Sequence, residues 1–182
     1  MDFELEGIRS LRALFEKRDI PGLKSFASEA ARDALVRSDA SLVDLSVLAY
    51  SLAKLAEKPY IINSPDWKRL AESVSAALRE AEDLEAKGDA VAARERVHEA
   101  LNAIDSLSLE LGRFVSSIVE KGRLKAAAQM YAHGASLGTA AEFTGASKQE
   151  LASYVGETKI PDKYEAMRVE ERLEKARRVL GQ

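Results

Sequence analysis

Cysteine is absent from the 182 residues, which excludes disulfides and thiolate metal sites. Only two histidines occur, His98 and His133, far apart in sequence. No histidine-based metal or catalytic cluster is therefore expected, and no cofactor or metal is assigned. The chain also lacks a glycine-rich phosphate loop, an HExxH helix and a GxSxG elbow. Its carboxylates are spread among Lys and Arg along helical stretches, so an enzyme is not the expected reading. No apolar run approaches membrane-spanning length. Asp2, Glu4 and Glu6 make the N-terminus acidic, unlike a signal peptide, and the expected location is cytoplasmic with no membrane contact. Asparagine and glutamine are scarce, reduced to Asn63, Asn102, Gln129, Gln149 and Gln182. With abundant Glu, Lys and Arg, that leans towards a thermophilic source.

What remains is helical. Hydrophobic residues make up 46% and charged ones 31%, while four prolines and ten glycines fall mostly between periodic stretches. Residues 3–18 place Phe3, Leu5, Ile8, Leu11, Leu14 and Phe15 at helical spacing, up to a stop at Asp19-Ile20-Pro21-Gly22. A second helix runs from Leu23 to Arg37. A third, capped by Asp39 or Ser41, carries Leu42, Leu45, Leu48, Ala49, Leu52 and Leu55, apolar around most of its circumference and so central in a bundle. Lys58 to Asn63 is the one β-like run, read as a loop whose Tyr60, Ile61 and Ile62 plug the core.

Ser64-Pro65 is a cap followed by proline at the first helical position. The helix it opens carries Leu70, Val74, Ala77, Ala81 and Leu84. Lys87-Gly88-Asp89 ends it, and a partner follows to about Glu120 through Val97, Leu101, Ile104, Leu111, Val115 and Ile118. Matching steps of four and three on both sides predict a long antiparallel hairpin over 65–120, with arms of about 30 Å or more. Glu80, Glu82, Asp83 and Glu85 read as a solvated face, Arg94-Glu95-Arg96 as surface pairing, and His98 as exposed or half-buried. Lys121-Gly122-Arg123 reads as a joint. The fold class expected is all-α: a helical bundle with the hairpin over 1–120, then a helix-turn-helix domain over 121–182.

The stretch Ser136 to Gly156 carries the strongest signal. Ser136 can cap a short helix bearing Leu137, Ala140, Ala141 and Phe143; Thr144-Gly145-Ala146-Ser147 breaks it. Ser147-Lys148-Gln149-Glu150 is a capping-box pattern opening a second short helix through Tyr154. Ala141 allows close helix approach, Gly145 suits a turn with positive φ, and Leu151 and Tyr154 share one face. The preceding helix, Leu124 to Ala132, would complete a trihelical unit. Residues 163–180 read as a last, highly charged helix.

Residues 137–156 resemble the helix-turn-helix of the DNA-binding repressor superfamily, with Ala141, Gly145 and Leu151 at its signature positions. Such proteins lay the second helix in the major groove. The resemblance implies that Ser147, Lys148, Gln149, Ala152 and Ser153 form its outward face, with Lys148 suited to guanine and Gln149 to adenine. Arg123, Lys125, Lys159 and Lys163 flank the motif as candidate phosphate anchors. Residues 1–120 hold 16 Lys and Arg against 22 Asp and Glu, whereas 121–182 hold 11 against 8. The half with the motif is thus the basic one, as nucleic-acid binding favours. The expected function is a DNA-binding transcriptional regulator acting on double-stranded DNA as a homodimer. The alternative is a prokaryotic helical interaction subunit, antitoxin-like, in which the motif is scaffold for a protein partner.

Overall fold

A computed structural model describes residues 3–111 and 118–158, and these residues are helical throughout, with no strand among them. In chain order they form α1 (Phe3–Glu16), α2 (Ile20–Arg37), α3 (Ala40–Ala56), α4 (Pro59–Ile62), α5 (Pro65–Ala86), α6 (Ala90–Leu111), α7 (Ile118–Ala132), α8 (Leu137–Thr144) and α9 (Lys148–Thr158). None of the described helices is long and apolar enough to cross a membrane. Local chemistry sets the boundaries. The Asp19 carboxylate accepts from the Gly22 amide and starts α2, with Pro21 in its first turn, where the missing N–H costs nothing. Asp39 and Ser64 do the same for α3 and α5.

The fold is organised around α3, which packs on α1, α2, α4, α6, α7 and α8. Every residue from Ser41 to Ala49 is buried, as its all-round apolar pattern predicts. Hydroxyls inside it find backbone acceptors: Ser46 Oγ donates across to the Ala27 carbonyl of α2 at 2.6 Å, and Ser51 Oγ to the Val47 carbonyl of its own helix at 2.8 Å. On α2, the buried face is Leu23 followed by Ala27, Ala30, Ala31 and Ala34, four small residues that let the two backbones approach closely.

α5 packs chiefly on α6 after the turn at Lys87–Asp89, where Gly88 has φ +83°. Their buried residues are Leu70, Val74, Ala77, Leu78 and Ala81 on α5, and Ala93, Val97, Ala100, Leu101 and Ile104 on α6. On its other side α5 meets α1 through an edge-on contact of Phe15 with Trp67. The acidic stretch of α5 departs from the sequence reading. Glu85 is buried, and Glu82 bonds Arg9 at 2.8 Å and Arg12 at 2.9 Å on α1. These two positions follow Leu78 and Ala81 along the apolar seam, so helical periodicity turns them inward. A hydrogen bond from Arg79 holds the Glu16 carboxyl below its usual range, and one from Lys24 does so for Glu57. Lowered carboxylate pKa values stabilise the fold above about pH 4.5, and that contribution is lost as pH falls and the groups protonate. Each partly exposed pair is expected to give less than about 1 kcal/mol, seen as a modest drop in urea midpoint between pH 5 and pH 3.

Three sequence readings are corrected. Lys58–Asn63 contains the short helix α4 rather than a loop; Ile61 is fully buried, but Tyr60 is exposed. Pro59 at the first helical position nucleates that turn. Ile118 and Glu120 belong to α7, not to the partner helix of the hairpin, which as described ends at Leu111. The joint expected at 121–123 lies inside α7, with Gly122 buried against Val47 of α3. Among the described residues, one apolar cluster takes in side chains from Ile8 to Leu151. The helix expected over 163–180, with Lys159 and Lys163, lies outside the described residues.

Candidate nucleic-acid interface

Three helices build the C-terminal unit: α7, α8 and α9 each pack on the other two. Ser136 caps α8 by accepting from the Thr139 amide at 3.0 Å. Gly145 then takes the left-handed conformation at φ +70°, the conformation a helix stop needs and a β-carbon disfavours. Thr144, buried, sends its hydroxyl back to the Ala140 carbonyl at 2.8 Å. The Ser147 hydroxyl accepts from the Glu150 amide at 3.4 Å, one half of the expected capping box. Ala140, Ala141 and Leu151 are buried at the crossing of α8 and α9, and Tyr154 is half-buried beside them.

Ser147, Lys148, Gln149, Ala152 and Ser153 are all exposed, so the first two turns of α9 present one continuous solvent face. Lys148 makes no ion pair with a described residue. Arg123 and Lys125 are placed differently from the sequence reading. Arg123 Nη1 donates to the Thr144 carbonyl at 3.1 Å, and its guanidinium lies against Gly145. The last carbonyls of α8 have no helical partner and carry the negative end of its dipole, so a cation from α7 is held there. Lys125 Nζ lies 3.2 Å from the Tyr154 hydroxyl, in a cleft shared with α2 and α3. Arg123 is thus held at the end of α8 and Lys125 lines that cleft, so neither lies on the exposed face of α9.

Beside that face runs a shallow groove between α7 and α9, lined by Ser147, Gln149, Ser153 and Lys121, but also by Glu120, Glu150 and Glu157. The surface around Lys148 is therefore mixed in charge rather than contiguously basic.

Sequence reasoning did not find a second polar cluster. Asp44, buried in α3, accepts from Arg94 at 3.2 Å and lies 2.9 Å from His98 Nε2, both on α6. A carboxylate in the middle of an all-round apolar helix was the available signal, because a buried charge needs partners. Asp44 side-chain exposure is 10%, against 43% for Arg94 and 51% for His98. That asymmetry decides the mutational outcome. Removing both partners (Arg94→Ala with His98→Ala) strands a buried carboxylate and is expected to cost about 3 kcal/mol or more. Asp44→Leu leaves half-exposed polar side chains that water can solvate and is expected to cost about 1 kcal/mol or less. Thermal unfolding of the two variants checks the order; a reversed order would refute the assignment of Asp44 as the desolvated partner.

No protein-family model, curated protein or solved structure matches this chain.

Proposed function

We propose that the chain is a DNA-binding regulator that reads the major groove of double-stranded DNA with α9. One observation carries this reading: across a left-handed glycine turn, α9 buries Leu151 completely while leaving Ser147, Lys148, Gln149, Ala152 and Ser153 open to solvent. In this reading Lys148 and Gln149 meet base edges, Ser147 a phosphate, and Ala152 and Ser153 the flank of the groove. Lys159 and Lys163 come after α9 in sequence and supply phosphate attraction, since Arg123 is held at the end of α8 and Lys125 lies in the cleft with α2 and α3, away from the exposed face of α9. A single α9 covers few base pairs, so a homodimer reading two half-sites is the expected assembly.

A second reading has its own support. Glu120, Glu150 and Glu157 line the groove beside α9, which suits a basic protein segment better than a phosphate backbone. In that case the chain is a helical interaction subunit, antitoxin-like, with the turn as scaffold.

Fluorescence anisotropy of labelled mixed-sequence duplexes, titrated over a range of salt, separates the two. The DNA reading expects affinity that falls steeply with salt. It also expects about tenfold or greater loss on Lys148→Glu, the worth of one base contact. Glu150→Lys is expected to tighten binding. Absence of binding at low salt sinks the DNA reading and directs attention to the acidic groove.

A further inference from the structure

Lys24 of α2, Lys54 of α3 and Lys125 of α7 are far apart in sequence, yet they line one cleft of about 330 Å³. Tyr50, Gln129 and the α9 residue Tyr154 are among the other residues of its walls. One carboxylate serves two of the three cations: Glu57 pairs with Lys24 and, at 3.0 Å, with Lys54. Lys125 instead donates to the Tyr154 hydroxyl at 3.2 Å and pairs with no described carboxylate. The cleft thus gathers two positive charges in excess, in a chain whose net charge is −3.

We propose that this cleft binds a small, multiply charged anion, a phosphate ester or a polycarboxylate, through Lys24, Lys54 and Lys125. Ammonium groups are compact point charges without the planar fork of arginine, and several converging from different helices suit an anion with charge on more than one oxygen. The volume lies at the small end of the range for small-molecule sites, which fits a metabolite-sized anion rather than a dinucleotide. Burial pushes the Tyr50 hydroxyl pKa up, so it stays protonated and can donate to the anion. Because Tyr154 belongs to α9, an occupant bridges α9 to α2, α3 and α7 and steadies its docking. The site stands independently of DNA binding; only its meaning as an effector pocket rests on the DNA reading.

The test uses the full chain without DNA. Isothermal titration calorimetry with inorganic phosphate, pyrophosphate and citrate, at matched ionic strength, is expected to show saturable one-to-one binding of at least one. Phosphate or pyrophosphate binding without citrate identifies the phosphate class, and the converse identifies the polycarboxylate class. Lys125→Gln and Lys24→Gln are each expected to weaken binding about tenfold. Lys87→Gln, at the α5–α6 turn, is expected to leave it unchanged. If Lys125→Gln fails to fold by circular dichroism, Lys24→Gln at the cleft edge carries the test. No saturable binding, or binding indifferent to these lysines, overturns the site. Amide exchange over 148–158 is expected to slow on saturation, and unchanged exchange there overturns the link to α9. Neither result depends on the anisotropy titration, so the two proposals fail separately.

Discussion

Leu48→Ala is expected to lower the stability of the fold by about 3–4 kcal/mol, in the middle of the range for buried leucine truncations. Leu48 has no exposed surface and sits at the middle of the helix on which six others pack. The cost has two parts: the methyl groups removed from the apolar interior, and a cavity that surrounding helices cannot easily close. Closure is hindered because α3 is held on all sides, so no single neighbour can move in without leaving another contact. For a chain of this length the loss corresponds to a melting temperature lower by roughly 10 °C. Leu84→Ala, at a half-buried position of α5, is expected to cost about 1 kcal/mol. Thermal unfolding of the pair measures the difference. Equal costs would show that α3 is not the centre of the packing.

The second large effect is expected at Gly122. A β-carbon there would lie 3.0 Å from Val47 Cγ1, 3.3 Å from the Val47 carbonyl oxygen and 3.4 Å from Ser51 Oγ. The Val47 carbonyl already accepts the Ser51 hydroxyl, so this patch of α3 backbone is fixed. Together with Ala126 one turn on, also buried, Gly122 lets α7 lie close against α3. Gly122→Leu must push the helices apart and is expected to cost about 3 kcal/mol or more. Gly122→Ala is expected to be near neutral, because about 1 kcal/mol of regained helix propensity offsets the squeeze. Urea unfolding decides. If Gly122→Ala stabilises by that full amount and Gly122→Leu is tolerated, the glycine is simply a weak point in α7 and the close approach is refuted. Because α7 also carries α8 and α9, Gly122→Leu is further expected to weaken whatever α9 binds.

Much of the helical layout was legible in the chain itself. Apolar residues at steps of three and four, bounded by Asp19, Asp39, Ser64 and Ser136 as caps, mark helices because these signals are local in sequence. The same holds for Gly145, whose positive φ follows from what a tight turn demands of its backbone. The solvent face of α9 could be read from the inward spacing of Leu151 and Tyr154.

What only the tertiary structure decided are the partners of charged and small residues, because these depend on which helices meet. Arg123 and Lys125 looked like phosphate anchors beside the motif, yet the C-terminus of α8 and the Tyr154 hydroxyl take them inward. Glu82 and Glu85 looked solvated until α1 supplied Arg9 and Arg12 and the seam of α5 turned them in. Gly122 looked like a joint between basic residues, while its role is steric and set by Val47, some 75 positions earlier. The gathering of Lys24, Lys54 and Lys125 around one cleft has no trace in local sequence at all. Periodicity determines which face of a helix is apolar; only packing determines what that face, and the charges along its edge, will touch.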